Sequence, residues 1–183
     1  MKYYPIHLNI NGKKCVVIGG GKVAERKIMS LLNCGAKMMV VSPKITKNIR
    51  RLADKSEISV ICRKYRVGDL KDTFLAVVAT DDSEINKEVA KEAKKRKVLV
   101  NVADGPELCD FIMPSVIRRG DLVIAISTSG RYPAFAKKLR IMLEDIVGKE
   151  YGAELERLAR IRDRLKSMRL SLVARNGRKN IHN

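Results

Sequence analysis

Gly19, Gly20 and Gly21 stand in a row, followed by Lys22, Val23 and Ala24, and the six residues match the spacing G-x-G-x-x-[GA]. Three bare backbone units let amide hydrogens approach an anion that a side chain would hold away. On this reading Gly19 lets the chain turn, Gly21 leaves room for a diphosphate, and Ala24 lets a helix pack closely on a sheet. A glycine-rich strand-to-helix turn with no ligand is the alternative. Two further groups carry chemistry. In the stretch 79–82, Thr80 is a candidate ligand contact, and Asp81, with Glu84 three residues on, resembles a capping box as well as a ligand contact. In the stretch 101–106, Asp104 precedes Gly105-Pro106. It reads as a turn-former through its Asx geometry or as a catalytic carboxylate.

The elements that position these groups follow from hydrophobic spacing. Short β-branched runs at 15–18, 38–41, 58–62, 74–79 and 98–102 alternate with helical patterns. One helix carries Ala24, Ile28, Leu31 and Leu32 and stops at Gly35, a second covers 45–52, and a third carries Ile85, Val89, Ala90 and Ala93. Alternation of this kind predicts an α/β fold, a parallel sheet flanked by helices, to about residue 110. The glycine turn, Thr80-Asp81 and Asp104 all follow strands, on the edge where such sheets bind ligands.

Beyond residue 110 the pattern changes. Runs at 111–117 and 122–126 predict two strands joined by a turn at 119–121, with Pro114 marking an edge or bulge in the first. A helix is expected from Ala136 to near Gly148. A last helix carries Tyr151, Leu155, Leu158, Ile161, Leu165, Met168 and Leu172 in a near-heptad stripe, and the basic tail after Leu172 is expected to fray.

Composition narrows the function. Over 183 residues, 38 Lys and Arg against 20 Asp and Glu give a formal charge of +18. Such basicity prompts a nucleic-acid reading, whose binding should weaken steeply with salt. With no Trp, five Tyr and three Phe, however, the chain lacks platforms for stacking single-strand bases, and no nucleic-acid partner is expected. The longest apolar runs fall far short of the ~20 residues that cross a bilayer, and no secretory leader is visible, so a cytoplasmic protein without a membrane partner is expected. Cys15, Cys34, Cys62 and Cys109 are scattered and only His7 and His182 offer imidazoles, a poor inventory for a metal site. The cysteines are expected to be reduced and buried.

A dinucleotide fold usually carries Asp or Glu at the end of its second strand to accept from the adenosine ribose, yet Ser42, Pro43 and Lys44 stand there. Ser42 and nearby backbone groups can hold an unphosphorylated ribose. Lys44 reads either as a partner for a 2′-phosphate or as a solvated lysine at a helix start.

Five ordered segments together are more specific than the glycine turn: 19–27, 79–82, 101–104, 111–115, and 126–130 with Pro133. From about Tyr4 to Leu143 the chain resembles precorrin-2 dehydrogenase, the oxidising module of siroheme synthases. The resemblance implies an oxidoreductase that uses NAD to convert precorrin-2 to sirohydrochlorin on the way to siroheme. Some members also insert ferrous iron. It implies a homodimer with a Rossmann domain over 1–110, a dimerisation region of small α+β type over 111–148 and a helical segment over 149–183. It makes Asp104 the candidate general base, the residues Gly19, Gly20, Gly21, Lys22, Val23, Ser42, Pro43, Lys44, Thr80 and Asp81 the cofactor contacts, and Ser127, Thr128, Ser129 and Arg131 the substrate contacts. No resident metal site is expected. A substrate with eight carboxylates would suit a basic cleft, for which Arg118, Arg119, Lys137, Lys138 and Arg140 are further candidates. Tyr132 stands where members often have a second serine before the proline. A non-catalytic dinucleotide-sensing module is the rival, and it would call for an acid after the second strand.

Overall fold

A computed structural model describes residues 3–179, with side chains through Arg169. The chain divides into two compact units, one ending at Met113 and the other beginning at Pro114.

In the first unit the β-branched runs become strands β1 (Lys14–Ile18), β2 (Lys37–Val41), β3 (Ile58–Ile61), β4 (Leu75–Val78) and β5 (Leu99–Val102). They form one parallel sheet in the order β3-β2-β1-β4-β5. Strands β1 and β4 are buried throughout, or nearly so, because helices cover both faces of the sheet, and their sequences are accordingly apolar without alternation. One face packs Val17, Val40 and Val77 against Ala24, Ile28, Leu31 and Ile49. The other packs Val16, Ala76 and Val100 against Val89, Ala93, Tyr65 and Leu70. The helices are α1 (Lys22–Leu32), α2 (Lys47–Asp54) and α3 (Ser83–Arg96), with a short 3₁₀ turn at Pro106–Leu108 after β5. Because β1 lies between β2 and β4, the chain reverses its direction of travel across the sheet beside β1, and a crevice opens at the carboxyl ends of β1 and β4.

Local chemistry moves several boundaries. Helix α2 begins after Thr46, whose hydroxyl accepts from the Ile49 amide, so it starts later than hydrophobic spacing alone implies. Asp82, not Asp81, caps α3. Its carboxylate accepts from the amides of Glu84 and Ile85, which leaves Asp81 with no capping role. Gly35 closes α1 with φ of +75° and donates its amide to Leu32. Only Cys15 among the cysteines is fully buried. Cys62 is exposed, because it lies beyond the paired residues of the edge strand β3.

The second unit pairs β6 (Ser115–Arg119) with β7 (Leu122–Ile126) in an antiparallel hairpin and adds α4 (Pro133–Ile146) and α5 (Glu150–Lys179). Residues 111–114 stay outside the first strand. Pro114 has no N–H to donate, so the ladder starts at Ser115 and no bulge is needed. Helix α4 starts at Pro133, whose fixed φ suits the first helical position, earlier than the apolar spacing from Ala136 suggests. Arg119 ties the hairpin to the end of α4, its Nε donating to the Val147 carbonyl at 2.9 Å. Helix α5 runs on to Lys179, past the point after Leu172 where the tail was expected to fray.

Candidate functional site

The carboxyl ends of the central strands frame a cleft of about 660 Å³. The glycine turn forms one wall, the β2–α2 loop a second, the residues after β4 a third, and Lys64 with Tyr65 closes the side beside β3. All ten expected cofactor contacts line it: Gly19, Gly20, Gly21, Lys22, Val23, Ser42, Pro43, Lys44, Thr80 and Asp81.

The three glycines are small for different reasons. A Cβ on Gly19 would lie 2.1 Å from the Ala79 carbonyl oxygen, and its φ of +118° already excludes most side chains. A Cβ on Gly20 would lie 2.2 Å from the Lys44 carbonyl oxygen. Gly21 is different. Its φ is −80°, and a Cβ there would meet nothing within 4 Å. No neighbouring atom of the protein requires glycine at position 21, whereas a diphosphate seated on the turn would.

Helix α1 starts at this turn, and its N-cap, Gly21, has no side chain to satisfy the first amides. The two other helices of this unit are capped by Thr46 and Asp82. Free amides, the positive end of the helix dipole, and an open Gly21 together fit a diphosphate. The turn is stitched to its surroundings by Gly19 N donating to Val41 O at 3.0 Å, Ala79 N to Ile18 O at 2.8 Å and Thr46 N to Gly20 O at 3.0 Å.

The second wall is equally fixed. Buried Ser42 donates its hydroxyl to the Lys44 carbonyl at 2.7 Å, so that hydroxyl closes the loop on itself. Glu25 on α1 accepts from the Thr46 hydroxyl and from the Asn48 amide, and these bonds, led by that from Thr46, hold its carboxyl below the ordinary glutamate range. On the third wall Thr80 donates to Asn86 Oδ1 at 2.7 Å, which orients the Thr80 hydroxyl at the start of α3.

Lys64 and Tyr65 are lining residues that sequence spacing did not single out, because they follow β3 in an irregular stretch with no motif. Their place just past a strand end on the ligand edge was the available signal. Tyr65 is fixed by buried Glu92 of α3, which accepts from the Tyr65 hydroxyl, from the Gly68 amide at 3.0 Å and 3.1 Å, and from Arg96. Burial, then the neighbouring Glu92 carboxylate, pushes the Tyr65 phenol pKa well above its usual value.

Asp104 does not line this cleft. It sits exposed in the turn after β5, and none of the described residues pairs with its carboxylate. Asn101, in the same segment, spends its amide on the Phe111 carbonyl at 2.9 Å, fastening the stretch that leads out of the unit.

In the second unit Ser127, Thr128, Ser129 and Arg131 share the β7–α4 loop. Ser127 Oγ accepts from the Ser129 amide at 3.0 Å, Thr128 Oγ1 accepts from the Tyr132 amide at 3.3 Å, and Arg131 N donates to Thr128 O at 3.0 Å. The Arg131 side chain is exposed. Among the described residues no group of His, Cys, Asp and Glu is arranged to hold a metal, and no helix is long and apolar enough to cross a membrane.

Compared with known proteins, residues 6–115 match an NAD(P)-binding family. The chain is 40% identical over 175 residues to a siroheme synthase of Nitrosococcus oceani and 41% identical over 167 residues to one of Nitrosomonas europaea. These alignments cover 96% and 91% of this chain but 37% and 35% of those proteins, so the chain spans roughly a third of their length. Among solved structures, SirC, a precorrin-2 dehydrogenase, shares 32% identity and superposes with a TM-score of 0.73, covering 84% of this chain and 76% of that one.

Proposed function

Because the chain belongs to the NAD(P)-binding family of precorrin-2 dehydrogenases, we propose that it oxidises precorrin-2 to sirohydrochlorin with NAD, in the cytoplasm and as a homodimer. The observation that carries the coenzyme half of this reading is Gly21, a glycine that opens onto the cleft and that no protein atom explains.

NAD supplies the hydride acceptor when bound. The chain's own residues bind and orient. The amides of the α1 turn hold the diphosphate, and the Ser42–Thr46 loop and Thr80 fix the ends of the cleft. Removing a hydride from a carbon of the macrocycle leaves a proton to be taken up, and Asp104 is the group assigned to that role. Its exposed carboxylate is available to a substrate in the way a paired one would not be. Ser127, Thr128, Ser129 and Arg131 are assigned to the substrate's carboxylate side chains, where a guanidinium can bond in bidentate fashion. The apolar stripe on α5, with Leu158, Leu165 and Met168 half-exposed or more, is assigned to the dimer contact together with the rest of the second unit. Insertion of ferrous iron into the product would displace two pyrrole N–H protons, which the same carboxylate could pass to solvent, with the macrocycle nitrogens as the metal's ligands.

The test is direct. Purified protein is incubated with precorrin-2 and NAD, and sirohydrochlorin is followed by absorbance while NADH is followed separately. Equal formation of both is expected. NAD binding with no turnover would instead favour a module that senses the dinucleotide without reacting it.

A further inference from the structure

In a dinucleotide fold the group after the second strand faces the adenosine ribose. An acid there does two things: it accepts from the ribose hydroxyls and it repels a 2′-phosphate. Here that place is held by Ser42, Pro43 and Lys44, all on the cleft wall. The root of Lys44 is fixed, because its carbonyl accepts from Ser42 and lies against Gly20. The residue is exposed.

The charged residues lining the cleft are Lys22, Lys44 and Lys64 against Asp81 and Asp82. Both acids follow β4, at the opposite wall, and Asp82 has one oxygen engaged in capping α3. Glu25 is the acid bonded to the β2–α2 loop, but Thr46 and Asn48 occupy its two oxygens and it does not line the cleft. The β2–α2 wall therefore holds one cation, Lys44, and no carboxylate.

We infer that this cleft accepts the 2′-phosphorylated coenzyme about as well as the unphosphorylated one, with Lys44 as the counter-ion of the 2′-phosphate. The inference rests on the coenzyme reading above and extends it to specificity. The acid that usually rejects NADP is missing, and a cation stands in its place.

The test is calorimetric titration of the full chain with NAD and with NADP, repeated for Lys44→Glu, with no substrate present. In the wild type the two dissociation constants should agree within about tenfold. Because an exposed ion pair is weak and charge reversal acts twice, Lys44→Glu should raise the ratio of the NADP to the NAD dissociation constant by about tenfold or more. NAD binding with NADP more than about tenfold weaker in the wild type would overturn the inference and leave the coenzyme reading standing. Equal loss of both coenzymes in Lys44→Glu would also overturn it. Failure of either coenzyme to bind the folded wild type would overturn the coenzyme reading itself, and this inference with it.

Discussion

The hydroxyl of Thr46 donates to the Glu25 carboxylate while its oxygen accepts the Ile49 amide, so one side chain caps α2 and moors the β2–α2 loop to α1. With Thr46 N also bonded to Gly20 O, two walls of the cleft are tied together. Thr46→Val removes the cap and the mooring but keeps the volume. It should cost about 1 kcal/mol of stability, the usual value of a cap, and weaken NAD more than Thr46→Ser does. Urea unfolding and NAD titration of the two variants check this. The Glu25 carboxyl is held below its ordinary range by the same bonds. A depressed pKa adds stability that is present above the unfolded value and is lost as pH falls through the folded one. The stability this mooring adds should therefore hold through the usual glutamate range and fade only at more acid pH, and in Glu25→Gln that acid step should be missing.

The glycine turn separates folding from binding. Gly21→Asp places a Cβ in open space with ordinary φ, so unfolding should shift by no more than about 0.5 kcal/mol, as at an unconstrained surface site. NAD binding should be lost, since a carboxylate would stand where the diphosphate belongs. Gly19→Ala should do the reverse of the first effect and destabilise by about 1–3 kcal/mol, because its Cβ meets the Ala79 carbonyl at a φ of +118°. A Gly21→Asp variant that folds and still binds NAD normally would show that the diphosphate lies elsewhere.

Legibility in the sequence followed the range of the interactions. Strands β1 and β4 and the glycine turn were readable because their signals are local: unbroken β-branched runs and three adjacent glycines. The cap of α3 reads as Asp81 in the sequence because Glu84 stands three residues after it, whereas the residue three after Asp82 is Ile85. Only backbone geometry decides which amides face the carboxylate. Tyr65 was out of reach for another reason. Its place on the cleft depends on Glu92, which lies 27 residues away on α3 and looks like any acid on a charged helix until the fold buries it.

That buried contact carries its own pH dependence. The Tyr65 phenol has its pKa raised in the folded protein, first by burial and then by Glu92. A raised pKa gives stability that is complete below the unfolded value, about 10 for tyrosine, and is lost as pH rises beyond it. Unfolding midpoints should fall above pH ~10 in the wild type by more than in Tyr65→Phe, which has no proton to lose. At neutral pH the ranking should invert, because Tyr65→Phe leaves Glu92 short of one donor and costs about 1–3 kcal/mol.

The stripe on α5 makes a prediction about assembly. Leu158, Leu165 and Met168 are 50%, 60% and 61% exposed on one helix, a large apolar face to leave in water. If that stripe is the dimer contact, Leu158→Glu together with Leu165→Glu should turn a dimer into a monomer in sedimentation velocity while NAD still binds the first unit. A dimer that survives the double substitution would move the contact to the hairpin and α4.

Asp104 is the group proposed to take up the proton, and its surroundings make that role separable from folding and coenzyme binding. It lies outside the cleft lining, exposed in the turn after β5, and none of the described residues pairs with it. Asp104→Asn keeps the shape and the turn propensity and removes only the basicity. NAD affinity and the unfolding midpoint should stay at wild-type values, while oxidation of precorrin-2 should slow by about 10²–10⁴-fold, the usual contribution of a general base. Unchanged turnover would assign proton removal to solvent or to another side chain, and would leave Asp104 as a turn residue.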